Sequence, residues 1–180
     1  MIKIFKIFFL LFIVVLMSCS KEELNEINGK VLNGNKEYDL NYVYLSITDS
    51  DLGIYQLHLS NDEITFDNGQ RFFSENPTIA IDIAIYNDKI ADKGISNYYP
   101  MSDREPGQPD YDPPYLAAAT TYFDLKKSGE NWIAEESYYF WDDGSMTIVE
   151  DIDGYRLDFT LIKGDRIITG YFNGIIKIVE

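Results

Sequence analysis

The sequence predicts an all-β domain, an antiparallel β-barrel or β-sandwich of about nine or ten strands. Apolar and polar residues alternate with a period of two from residue 24 onward. Dipeptides that favour tight turns interrupt those runs at short intervals. No segment beyond the first 23 residues carries a long helical stripe.

Strands are expected near 27–32, 36–47, 54–60, 63–67, 78–86, 117–126, 132–140, 145–150, 155–162 and 166–179. Tyr55, Leu57 and Leu59 alternate with Gln56 and His58. Ile79, Ile81, Ile83 and Ile85 alternate with Ala80, Asp82 and Ala84. Tyr155, Leu157, Phe159 and Leu161 alternate with Arg156, Asp158 and Thr160. Each pattern gives a strand one apolar face, as in antiparallel sheets. Asn33-Gly34, Asn68-Gly69, Asp143-Gly144 and Asp153-Gly154 supply residues that tolerate positive φ in hairpins, while Ser128-Gly129-Glu130-Asn131 and Lys163-Gly164-Asp165 read as longer loops. Trp132 is expected on one face with Ala134, Glu136, Tyr138 and Phe140, and Trp141 on the other with Ile133, Glu135, Ser137 and Tyr139. Gly170 and Gly174 share one side of the last strand, where glycines mark bends or close backbone approach. A long curved last strand would suit a closed barrel.

The runs Asn28-Gly29-Lys30-Val31-Leu32, Glu37-Tyr38-Asp39-Leu40, Asp153-Gly154-Tyr155-Arg156-Leu157-Asp158-Phe159 and Ile168-Thr169-Gly170-Tyr171-Phe172-Asn173-Gly174 resemble a loosely defined group of small β lipoproteins, some calycin-like or lipocalin-like. The resemblance rests on turn-and-strand grammar. It implies a fold and no catalytic residues.

Residues 1–18 read as a signal peptide, 19–26 as a lipidated tether and 27–180 as a single all-β domain. Lys3 and Lys6 precede an unbroken apolar run from Ile7 to Met17, which suits a secretory leader and is too short to span a bilayer. Leu16-Met17-Ser18-Cys19 resembles the lipobox of bacterial lipoproteins, with Met17 bulkier than the usual small residue. The resemblance implies cleavage before Cys19, a thioether-linked lipid on its thiol and acylation, such as palmitate, of the new amine. Two or more acyl chains anchor a protein stably. Ser20-Lys21-Glu22-Glu23 resembles the acidic export signal of Bacteroidota-type surface lipoproteins, implying an outer-membrane, surface-exposed location; the plainer reading is a solvated tether.

The 180 residues include 30 Asp or Glu against 15 Lys or Arg, for a net charge of −15. That balance argues against an unaided nucleic-acid surface, which needs clustered cations. A single cysteine excludes an intrachain disulfide, and one cysteine with one histidine leaves no ligand set for zinc. No cofactor or metal is expected.

Between Tyr98 and Tyr115 the alternation fails and five of the six prolines gather, so a ladder strand is not expected there. Long irregular loops in compact domains are usually functional or disordered. Tyr98, Tyr99, Tyr111 and Tyr115 would be rigid amphipathic contact groups on such a loop, with Trp132 and Trp141 as further ligand-contacting rings; the alternative is a tyrosine loop folded against the domain. Asp103, Glu105, Asp110 and Asp112 could hold a cation. Asp142-Asp143-Gly144-Ser145 and Glu150-Asp151-Ile152-Asp153-Gly154 lack the regular offsets of a calcium loop and read as hairpin turns. His58 has no nucleophile or orienting acid evident in the sequence, and it is read as solvent-facing or barrel-lining. No catalytic residue is expected.

These features fit a non-enzymatic, lipid-anchored envelope protein that binds a glycan, a small molecule or another envelope protein through aromatic loops or a barrel mouth. A subunit of an outer-membrane assembly is the reading from another class. A hydrolase with dispersed carboxylates would need two acids facing each other in a pocket.

Overall fold

The structure is a computed structural model that describes residues 29–67, 70–87, 95–101 and 114–179. The expected signal peptide, Cys19 and the tether lie outside the described residues, as do Tyr111, the Asn68-Gly69 turn and the acids Asp103, Glu105, Asp110 and Asp112.

The described chain is all-β. Its strands are β1 (Gly29–Asn33), β2 (Lys36–Asp39), β3 (Tyr42–Asp49), β4 (Ile54–Ser60), β5 (Ile64–Asp67), β6 (Gln70–Phe73), β7 (Ile79–Tyr86), β8 (Asn97–Pro100), β9 (Tyr115–Ser128), β10 (Asn131–Tyr139), β11 (Asp143–Asp151), β12 (Gly154–Lys163), β13 (Arg166–Gly174) and β14 (Ile176–Val179). They form two six-stranded sheets and a separate hairpin. Sheet A runs β2-β1-β13-β12-β11-β8, sheet B runs β10-β9-β7-β4-β3-β14, and β5 pairs β6. Pairing is antiparallel except between β14 and β3.

The sheets face each other across one core and do not close into a barrel. Sheet A contributes Val31, Leu157, Phe159, Leu161 and Phe172; sheet B contributes Leu57, Leu59, Ile79, Ile81, Ile83, Ile85 and Phe123. Each such side chain contributes roughly 1.5–3 kcal/mol when fully buried. The alternation seen in the sequence is therefore the inner-outer alternation of a sandwich.

The fourteen described strands exceed the expected number for identifiable reasons. The stretch expected at 36–47 breaks at Leu40-Asn41, where the chain passes from sheet A to sheet B. The last expected strand breaks at Ile175 and makes the same transfer. Its bend thus joins two sheets instead of curving one into a barrel. Strand β6 has only four residues, two polar followed by two phenylalanines, and so shows no alternation. Strand β8 lies inside the proline-rich segment expected to be irregular; Pro100 is tolerated because β8 is an edge strand, paired only with β11.

Among the described two-residue hairpin loops, which include Ile152-Asp153, three are led by glycine: Gly34-Asn35, Gly129-Glu130 and Gly164-Asp165. Each begins with a glycine at positive φ, between 56° and 66°. The loops at Ser128 and Lys163 are thus tighter than expected. Gly170 serves a different purpose. It pairs with Phe159 on β12, and a Cβ at position 170 would lie 2.3 Å from the Phe159 ring. The missing side chain is the space the ring occupies.

Gly170→Ala is expected to lower stability by about 1–3 kcal/mol through overpacking. Adding Phe159→Leu, which removes the ring, should recover part of that loss because the two sites are coupled. Urea denaturation of both single variants and the double variant checks this.

Candidate functional site

The aromatic residues singled out in the sequence scatter on folding. Tyr98 projects from β8 and is 55% exposed. Tyr99, its neighbour, points the other way and is fully buried; its hydroxyl donates to the Ile95 carbonyl at 2.8 Å and accepts from Asn87 Nδ2 at 3.0 Å. Burial pushes the Tyr99 phenol up to about 12. Tyr115 is buried and stacks on Tyr86 with ring centroids 5.5 Å apart. Trp132 is half-buried, edge-on to Phe73 at 6.4 Å with the Lys127 ammonium 5.9 Å from its ring.

Trp141 is buried against Tyr138, at 5.7 Å, and so joins the side of β10 from which the alternation excluded it. The reason is Phe140, whose φ of 54° breaks the extended backbone just after β10 and resets the alternation. Burial removes Tyr99, Tyr115 and Trp141 from the reach of a surface ligand. Among the described residues of that set, Tyr98 alone presents a largely open ring.

Tyr98 belongs to a row that crosses the outer face of sheet A. Lys30 pairs with Tyr171, Tyr171 with Asp158, Asp158 with Thr147, and Thr147 with Tyr98. The adjacent row runs Leu32, Thr169, Thr160, Ser145 and Pro100. Between the two rows lies a shallow trough of about 390 Å³. Ser145, Thr147, Thr160 and Thr169 give it a floor of short hydroxyl side chains, and Lys30, Glu37, Leu32 and Tyr171 wall one end. Asp158 also lines it, held by Arg156, whose Nε donates to Oδ2 at 2.8 Å. Lys30 and Glu37 form an ion pair at the wall. Short residues inside a frame of longer ones make the concavity. Its hydroxyls supply donors and acceptors, and Tyr171, 48% exposed, adds an aromatic flank.

Sequence alternation identified Asp158 and Thr160 as the polar side of one strand. It did not show that Thr147 and Tyr171 flank them, because that follows from register.

A second polar group ties the two sheets together at one side. Arg166 of β13 bridges Glu136 of β10 at 2.9 Å, donates to Asn33 Oδ1 at 2.8 Å and lies 4.5 Å from the Tyr138 ring centroid. Asn33 donates to the other Glu136 oxygen at 2.9 Å, and Tyr138 donates to Glu136 as well. Nearby, Asp124 pairs with Lys36 and accepts from the Tyr38 hydroxyl at 3.1 Å. Asp124 has a φ of 52°, a strained value for a non-glycine residue. The Lys36 ammonium and the Tyr38 hydroxyl hold Asp124 below the usual carboxylate range. The Tyr138 hydroxyl, Asn33 and Arg166 do the same for Glu136. Both acids are thereby kept ionised, the reverse of the raised carboxyl that a glycosidase uses as general acid. This cluster is a clamp between sheets.

His58 lies on the outer face of sheet B with Gln56, as the alternation indicated, yet it is only 9% exposed. The β5–β6 hairpin packs beside it, placing the Phe66 ring 5.2 Å away. Folding brings Ser46 and Asp82 to its two ring nitrogens. The sequence hid this because the partners come from neighbouring strands. Among the described residues there is no group of three or more His, Cys, Asp or Glu side chains placed to hold a metal ion.

The chain matches no protein-family model, no curated protein and no solved structure.

The titrating groups predict stability that declines at both ends of the pH scale. Asp124 and Glu136 have folded values below their ordinary 3.8 and 4.5, so their contribution is complete above those values and is lost as pH falls through the folded ones. Burial raises Tyr38, Tyr99 and Tyr138 to about 12, so their contribution holds below the ordinary 10.0 and is lost as pH climbs toward 12. Urea midpoints measured across pH should trace a plateau between about pH 5 and 10 with losses on both sides.

Proposed function

We propose that this protein is a lipid-anchored component of the cell envelope whose acidic β body binds a glycan along the outer face of sheet A. The trough carries the reading. Its floor offers four hydroxyls beside an oriented carboxylate, and Tyr171 stands at its edge. A sugar presents the complementary groups: hydroxyls for the floor and a C–H face for the ring. Tyr98 lies in the same row, three strand spacings from Tyr171, a span of about 14 Å at ~4.8 Å per strand. That distance suits an oligosaccharide better than a single sugar ring. Binding, without bond cleavage, is the activity proposed for this face.

The anchor is supported by the leader and Cys19. Without Lys3 and Lys6 of the leader, 13 Lys or Arg stand against 30 Asp or Glu, and a body with a net charge of −17 is repelled by anionic lipid surfaces, so acyl chains must hold it at the bilayer. The acidic tether after Cys19 favours the outer membrane and exposure at the cell surface.

Two experiments test the two halves of this reading. A glycan array followed by titration calorimetry should find an oligosaccharide ligand whose affinity falls about ten-fold, or ~1.4 kcal/mol, in Tyr171→Ala. A uniformly flat array would refute glycan binding. Cys19→Ala should release the protein from the membrane fraction; persistence with membranes would refute the anchor.

A further inference from the structure

The opposite face of the molecule carries a constellation that the glycan reading does not use. Strands β3, β4 and β7 are neighbours in sheet B, and their register pairs Tyr44 with His58 and His58 with Asp82. Ser46 is two residues beyond Tyr44 and so stands on the same face, diagonal to His58. His58 Nδ1 lies 2.8 Å from Asp82 Oδ1, and His58 Nε2 lies 3.0 Å from Ser46 Oγ. The Asp82 carboxylate favours the tautomer with Nδ1–H directed to it, which leaves Nε2 to accept the serine proton; Ser46 Oγ also lies 3.4 Å from the Gln56 carbonyl oxygen. Arg71 of the overlying hairpin pairs with Asp82 and holds its carboxylate in place. Ser46 remains half-buried while His58 is almost covered, so the hydroxyl is the accessible end of the chain.

We propose that Ser46 is a nucleophile, with His58 as its base and Asp82 as the orienting acid, and that this face hydrolyses small acyl esters. Ser46 Oγ bonds to the ester carbonyl carbon as its proton passes to His58 Nε2. The carbon–oxygen bond to the alcohol then breaks, and His58 returns the proton to the departing alkoxide. Water, deprotonated in the same way by His58, attacks the acyl-serine, releases the carboxylic acid and restores the Ser46 hydroxyl. Water is the only co-reactant.

The surroundings define the substrate class and the speed. Ser46 pairs directly with Gln56, and the row continues through Ala84 to Ala118. Beyond Gln56 the row is low, with methyl side chains two and three strand spacings from Ser46, about 10 and 14 Å away, a surface on which a short acyl ester can lie. Within a strand ladder the backbone N–H groups are already engaged, so stabilisation of the oxyanion falls to side chains, with the Gln56 amide the nearest across the ladder. Missing oxyanion donors cost about 10²–10³ in rate, so turnover is slow and the acyl-serine is long-lived.

The test uses the full-length protein in detergent and a fluorophosphonate probe, with the labelled site mapped by mass spectrometry. p-Nitrophenyl acetate hydrolysis is followed in parallel. Covalent labelling at Ser46 is expected, absent in Ser46→Ala and about 10²-fold slower or more in His58→Ala. Imidazole in the buffer should restore part of the His58→Ala reactivity, an effect that a role in packing alone would not produce. Circular dichroism and melting of Ser46→Ala, a half-exposed position, verify that its fold is kept. No label at Ser46 in the folded protein, or labelling equally fast without His58, would overturn the proposal. So would ester hydrolysis unchanged in Ser46→Ala.

Discussion

A pleated strand sends successive side chains to opposite faces, and that geometric fact governs every feature of this molecule. Each strand of the two sheets gives one row to the shared core and the other to the outside. Burial of the inner row fixes the register, because a one-residue slip would exchange Phe159 and Leu161 for Asp158 and Thr160. Once the inner rows are locked, the outer rows have no freedom left. The hydroxyl floor of sheet A and the Ser46–His58–Asp82 chain of sheet B are both held in position by contacts on the far side of their own strands.

Polar contacts complete what the core begins. The Arg166–Glu136–Asn33 and Lys36–Asp124–Tyr38 groups join sheet A to sheet B. Arg71 fastens the β5–β6 hairpin to the outside of sheet B through Asp82, with its guanidinium 5.2 Å from the Phe73 ring. In a chain with twice as many acids as bases, Lys36, Arg71 and Arg166 stand at such joints. Exposed strand edges are guarded in a similar way. Lys36 on β2, Pro100 on β8 and Lys177 on β14 all sit on edge strands, where a charge or a missing N–H discourages pairing with another chain.

What could be read from the sequence was whatever depends on neighbours along the chain. The apolar sides of β4, β7 and β12 were plain, and so was the company of His58 with Gln56 on one face. Features set by neighbours across the sheet were not legible. Asp82 and Ser46 become partners of His58 only through the pairing of β3, β4 and β7. Tyr171, Asp158 and Thr147 become one surface only through β11, β12 and β13. Local rules failed where a single backbone torsion or a sheet edge overrode them. Positive φ at Phe140 turned Trp141 inward, and the edge position of β8 accepted Pro100 and buried Tyr99. The transfer of the chain between sheets at Ile175 likewise replaced the curved last strand of a barrel with two shorter strands.

The pairing of β1 with β13, and of β3 with β14, joins the beginning of the described chain to its end. Loop closure over such separations makes folding slow and leaves it to the last stage of synthesis. A nascent chain of this kind, emerging residue by residue, lacks the partners for its own first strands and stays threadable until the C-terminal segment appears. If the chain is exported as proposed, late closure keeps it in a form that a narrow translocation channel can accept.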